Sequence, residues 1–242
     1  MMGWPQWTML ALFAVGLLFA ANQHGKPRTD KYNFWGAVIG IAIQFGILFA
    51  GGFFSPCAHA QVPHESARYK LTLLREAHSQ WGLGAPVPAF AAQVHQESGW
   101  RPDAVSRVGA RGLAQFMPAT ARWWCERTRV AQADCLPHNP AWALRALVGY
   151  DKFLFDRAPV RMSDFDRLWL ALRGYNGGEG HWQAEARSTG LREPTLADID
   201  RACGTARRAP VHCKENLHYP RRILLELQPR YDTWGNVWRS PS

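Results

Sequence analysis

From Phe34 to Phe54 the chain carries no charged side chain and only Gln44 as a strongly polar one, a run of 21 positions. About 20 helical residues cross the hydrocarbon of a bilayer, so this run reads as a membrane span. Thr8 to Ala21 is also uncharged and, taken back to Gly3 with Trp4 and Trp7 as interfacial anchors, is just long enough for a second. The spans are therefore placed at about 3–21 and 34–54. Between them, Lys26, Arg28 and Lys31 outnumber Asp30, which puts the connecting loop on the cytoplasmic side and everything after residue 60 outside. In a second reading Lys26–Lys31 opens an internal signal, Ala37–Ala50 is its apolar stretch and Ala58-His59-Ala60 is a cleavage site. Both readings export residues 61–242 and differ only on whether they stay tethered. A third, two buried helices of a soluble protein, suits two such long uncharged runs poorly.

The exported segment of this 242-residue chain is the size of one ordinary domain. With 47% hydrophobic and 19% charged residues, disorder, collagen and coiled coil are excluded. The net charge of +9 comes mostly from arginine and favours an anionic partner: nucleic acid, anionic lipid or an acidic wall polymer. Export makes nucleic acid the poorest of these, and the arginine pairs 207–208 and 221–222 are scattered rather than gathered in one stripe.

Cys125 and Cys135 are ten apart, as are Cys203 and Cys213, and Cys57 stands alone. Four cysteines allow three connectivities; in an oxidising compartment the local pairs 125–135 and 203–213 are preferred over buried thiols. No Cys-x-x-Cys or His-Glu-x-x-His pattern occurs, and no metal or cofactor is expected.

The exported part reads as mostly helical with at most a small sheet, since no period-two alternation runs beyond four residues. Helices are predicted at Glu65–Trp81, Pro88–Glu97, Pro118–Val130, Pro140–Arg157, Asp164–Arg173 and Glu215–Tyr231. Ser98-Gly99 stops the second of these, and a glycine-rich connection comes next.

Glu97 to Ala121 reads ESGWRPDAVSRVGARGLAQFMPATA. Its elements Glu97-Ser98, Ala104-Val105-Ser106, Gly109-Ala110-Arg111-Gly112-Leu113, Gln115 and Met117-Pro118-Ala119-Thr120-Ala121 resemble, at the same spacing, the soluble-type lytic transglycosylase family. Gly174-Tyr175-Asn176-Gly177-Gly178 resembles that family's Ala-Tyr-Asn-x-Gly block, and Glu215 with Tyr219 its Glu-Thr-x-x-Tyr-Val block. The resemblance spans roughly residues 66–232 of the 61–242 domain. Gly174, Asn216, Pro220 and Ala114 depart from it, and Pro220 points to a last helix that begins late, because proline is best tolerated in a first turn.

The resemblance implies a lysozyme-like α+β fold acting on peptidoglycan strands; together with the apolar runs this puts the chain in a bacterial inner membrane with its catalytic domain in the periplasm, or exports it after cleavage near Ala60. It also implies cleavage of the MurNAc–GlcNAc β-1,4 bond by one glutamate that is first acid and then base. The sugar's own C6 hydroxyl closes a 1,6-anhydro ring. Phage lysis, a secretion or conjugation apparatus and wall remodelling all remain open as settings.

Glu97 fits the acid's role without the family. At the C-terminal end of an apolar helix, partial burial and the negative end of the helix dipole both raise its pKa, as protonating a glycosidic oxygen near neutral pH requires. A hydrolytic glycosidase needs a second carboxylate. Asp103, Glu179 and Glu215 are candidates, none in a paired pattern, with Glu215 better suited to bracing structure. A goose-type hydrolytic muramidase and a non-catalytic glycan-holding component are the alternatives. For substrate binding, Gln115, Met117, Tyr175, Asn176 and Tyr219 resemble cleft positions, with Gly112 and Leu113 in the same block. Ser98 and Ser106 could bond either sugar or neighbouring backbone. Trp100 is the one tryptophan singled out for stacking on sugar.

Overall fold

The computed structural model describes residues 62–240, so the two apolar runs, Cys57 and the cleavage site near Ala60 lie outside the described residues. Among the described residues no helix is long and apolar enough to cross a membrane. Eight α-helices carry the fold there: α1 Ser66–Trp81, α2 Val87–Ser98, α3 Pro118–Arg127, α4 Pro140–Asp156, α5 Asp164–Gly177, α6 Glu179–Ser188, α7 Leu196–Arg201 and α8 Cys213–Arg221. A π turn, Arg222–Leu227, and a 3-10 segment, Gln228–Trp234, continue from α8. No sheet forms among these residues; the strand-like pairing amounts to two isolated bridges, Val105 with Arg111 and Arg111 with Phe116.

α2 is the axis of the domain. Every residue from Val87 to Val94 is buried, as expected of a helix that is apolar all round and enclosed by others. It packs against α1, the π turn and the 3-10 segment. Tyr69 and Leu73 of α1, Leu144, Leu147 and Val148 of α4, and Leu168 and Leu172 of α5 complete the core. Caps fall where the sequence supplies them: the Asn139 side chain accepts from the Ala141 and Trp142 N–H groups, and Ser163 accepts from Asp166.

The six predicted helices exist, and the last differs most. Instead of one helix over 215–231, α8 starts earlier, at Cys213, and Pro220 lies next to its end rather than in its first turn. Proline cannot donate to the carbonyl four residues back, and the α pattern gives way to the wider π turn directly afterwards, at Arg222. α6 and α7 were not individually legible, although Thr195 and Asp198 form a reciprocal capping box at the start of α7.

The disulfides pair locally, Cys125 with Cys135 and Cys203 with Cys213, across Cα separations of 6.1 and 5.9 Å. Glu185 lies beside the second pair, but sulfurs bonded to each other offer no thiolate to a metal.

Candidate active site

Glu97 sits in the last turn of α2, where this enclosed helix reaches the edge of the core. Gly99, left-handed at φ 60°, ends the helix and returns its N–H to the His95 carbonyl at 3.0 Å. The buried Ser98 hydroxyl donates to the Leu113 carbonyl at 2.9 Å, tying the helix end to the next loop.

That loop is held by its own polar groups. Ser106 Oγ accepts from the Ala110 N–H at 3.0 Å, and Gln115 Nε2 donates to the carbonyls of Gly112 at 2.9 Å and Ala104 at 3.2 Å. Gly112 has φ +74°, and a Cβ there would lie 1.8 Å from the Pro137 carbonyl oxygen, so both conformation and space require glycine. Leu113 is fully buried, while Met117, 40% exposed, stands at the entrance of α3.

Two tyrosines reach Glu97 from other helices. The Tyr219 hydroxyl, on α8, donates a very short hydrogen bond to Glu97 Oε1. Burial raises the pKa of Tyr175, on α5, and the nearby Glu97 charge raises it further; its hydroxyl donates to the Ala114 carbonyl at 2.7 Å. Its ring meets Phe116 edge-on and Tyr150 at a tilt, with centroids 5.8 and 5.5 Å away. Glu97 keeps part of its surface open, yet protein crowds its carboxyl. Loss of hydration raises its pKa from 4.5 to about 7, against the opposing pull of the Tyr219 hydrogen bond. Glu97 can therefore both give and take a proton near neutrality.

Asn176, next to Tyr175, accepts at Oδ1 from Asn216 Nδ2 at 3.1 Å. Asn216 in turn donates to the Arg173 carbonyl and accepts from Arg173 Nε, each at 2.9 Å. The Arg173 guanidinium is fully buried and also binds Glu185 at 2.5 Å and Asp200 at 2.9 Å, while Arg208 reaches Glu185 at 3.0 Å. This network fixes the end of α5, and hence Tyr175 and Asn176, against α6 and α8.

The structure thus brings Glu97, Tyr175 and Tyr219 together, with Ser98, Ser106, Gly112, Leu113 and Gln115 shaping the adjacent loop. Ser98 and Ser106 bond backbone, the second of the two readings given for them. Trp100 is corrected: fully buried, it donates to Tyr231 Oη at 2.8 Å and belongs to the core. Of the second-carboxylate candidates, Asp103 is exposed and Glu179 is paired with Arg157 at 2.6 Å. Glu215 is exposed beside a cavity it shares with Asn176, and the bracing expected of it falls to its neighbour Asn216. Sequence reasoning missed Arg173, Glu185 and a buried carboxyl, Asp151. The last had a signal: Asp151 continues the apolar face of α4, three and four residues from Val148 and Leu147 and three from Leu154.

In sequence and in fold the chain is similar to known lytic transglycosylases. Membrane-bound lytic murein transglycosylase F of Alteromonas mediterranea is 40% identical over 92 residues, which is 38% of this chain and 18% of that protein. The proteins of the same name from Vibrio cholerae and Thiobacillus denitrificans are 36% identical over 112 residues and 32% identical over 168 residues. Those alignments take in 45% and 62% of this chain, and 20% and 34% of the relatives. The chain thus spans about a fifth to a third of the length of these curated relatives. An inactive mutant of the lytic transglycosylase Slt from Pseudomonas aeruginosa shares the fold with a TM-score of 0.54 at 19% identity, over 80% of this chain and 28% of that one. The 70 kDa soluble lytic transglycosylase from Escherichia coli gives 0.52 at 19% identity, over 79% of this chain and 27% of that one. The transglycosylase SLT domain family matches residues 75–196, half of the chain and the segment that holds Glu97 and Tyr175, and this chain belongs to that family.

Proposed function

We propose that this chain is a lytic transglycosylase that cuts the MurNAc–GlcNAc β-1,4 bond of peptidoglycan without water, using Glu97 alone as acid and then base. The observation that carries this reading is the state of Glu97: a crowded carboxyl with its pKa raised to about 7 and a tyrosine hydroxyl on one oxygen. Protonated Glu97 gives its proton to the glycosidic oxygen as the bond from the MurNAc anomeric carbon to that oxygen breaks. The Tyr219 hydrogen bond stabilises the carboxylate left behind. Glu97 then takes the proton of the C6 hydroxyl, whose oxygen bonds to the anomeric carbon and closes the 1,6-anhydro ring. One proton leaves Glu97 and one returns, so no second carboxylate is needed to activate water.

Asn176, with Oδ1 held by Asn216, keeps its amide N–H groups to donate to an N-acetyl carbonyl. Met117 and the loop built on Ser98, Ser106, Gly112, Leu113 and Gln115 would flank the glycan. The two apolar runs before residue 60 support a membrane-tethered enzyme, with the domain from 61 onward in the periplasm and the glycan strand as its partner.

The test is incubation of the purified full chain with peptidoglycan sacculi and mass spectrometry of the released muropeptides, beside Glu97→Gln. Products one water lighter than hydrolytic ones, absent with the variant, are expected. Reducing-end products would make the chain a hydrolase, and no product from folded protein would make it a glycan-binding component.

A further inference from the structure

Asp151 and Gln93 are both fully buried and face each other across α4 and α2. Gln93 Nε2 donates to Asp151 Oδ1 at 3.3 Å. The remaining polar atom of each side chain, Gln93 Oε1 and Asp151 Oδ2, is also buried and has no partner. Two orphaned acceptors on groups already joined by one hydrogen bond are a costly arrangement if Asp151 is a carboxylate. A single proton on Asp151 Oδ2 removes both defects, because an acid and an amide can then close a ring with one N–H···O and one O–H···O bond.

The placement gives the pair a role. Gln93 precedes Glu97 by four residues on α2, hence lies on the same side one turn earlier. Asp151 is next to Tyr150, whose ring packs on Tyr175. The titratable groups coupled to Asp151 are all acids: Glu97 on α2, Tyr150 on its own helix, Tyr175 on α5 and Tyr219 on α8. We propose that Asp151 is a positioning residue for Glu97: as a neutral carboxylic acid closed on Gln93, it locks the last turns of α2 to α4 and keeps a second negative charge away from the site. Being enclosed, it does not touch substrate. Burial raises its pKa well above the ordinary carboxylate range, against the opposing pull of the Gln93 hydrogen bond and with a further rise from the Glu97 charge, in keeping with a proton retained while Glu97 titrates. The consequence for activity rests on the transglycosylase reading; the protonation state does not.

The experiment compares the full chain with Asp151→Asn and Asp151→Leu. An amide at 151 can make the same two-bond ring with Gln93, so Asp151→Asn is expected to keep kcat within about threefold and leave the midpoint of the pH–rate profile in place. Asp151→Leu strands Gln93 and is expected to lower kcat at least tenfold with KM little changed. Infrared difference spectra at neutral pH should show a carboxylic-acid C=O band in the wild type that Asp151→Asn lacks. Absence of that band, or a fall in the pH–rate midpoint with Asp151→Asn, would mean that Asp151 is ionised and overturn the proposal. Wild-type kcat in a folded Asp151→Leu would remove the positioning role. Should the leucine variant not fold, the band and the asparagine profile still decide. Should the wild type release no glycan product, the transglycosylase reading fails, while the band reports independently on Asp151.

Discussion

At the scale of the residue, opposing effects act on one carboxyl. Crowding moves Glu97 to about 7, and the Tyr219 hydrogen bond holds it below where burial alone would put it. Removing the hydroxyl with Tyr219→Phe therefore raises the Glu97 pKa. A hydrogen bond to a charged group is worth about 1.5–3 kcal/mol, which corresponds to about 1–2 pK units. The alkaline limb of the pH–rate profile should move upward by that amount, while kcat falls because the carboxylate formed in the first step loses its donor. Initial rates on sacculi from neutral to alkaline pH would show it; an unmoved limb would mean that the hydroxyl does not act on Glu97. Glu97 itself was legible in the sequence through its motif, as were Tyr175 and Tyr219. Asp151 had a signal in its place on the apolar face of α4, but its contact with Gln93 of α2, 58 residues away, is set by packing that one sequence does not display.

At the scale of the element, α5 delivers Tyr175 and Asn176 only because its last turns are held by a buried ion network. Arg173 is charged and fully enclosed, so each of its partners matters: Glu185, Asp200 and the Asn216 amide. Breaking one side of a buried pair strands the other charge and costs about 3–5 kcal/mol. Glu185→Gln should lower unfolding stability by that much, as read from urea titrations, and should also raise KM for glycan through a loosened Asn176. Loss of stability below about 1 kcal/mol would show the network to be dispensable. The helices themselves were largely readable from apolar spacing and caps. The end of α8 was not, because a proline next to a helix end and one inside a first turn look alike until the tertiary packing sets the boundary.

At the scale of the whole molecule, a site acid with a raised pKa is carried at the expense of stability. Glu97 is taken from about 4.5 in the unfolded chain to about 7 in the fold. The folded state therefore binds the proton more tightly, and this contribution to stability is fully present below pH 4.5 and lost as pH rises through about 7. The loss amounts to at most about 3 kcal/mol at 1.36 kcal/mol per unit. Glu97→Gln lacks it and should be more stable than the wild type above neutral pH and equal to it in acid, as paired urea unfolding series would measure. A variant less stable at every pH would contradict a raised Glu97.

The sequence by itself determined what depends on local order: the apolar runs before residue 60, the mostly helical character, the ten-residue cysteine spacings and the Glu97–Ala121 motif with its glycine at 112. Such features rest on periodicity, turn chemistry and fixed spacing, which the chain carries however it folds. Only the tertiary structure decided what depends on enclosure: the desolvation of Glu97, the hydroxyl of Tyr219 brought to it from 122 residues away, the burial of Trp100, and the Arg173 and Asp151 clusters. Hydration lost to surrounding atoms, and hydrogen bonds made in its place, belong to packing between distant segments.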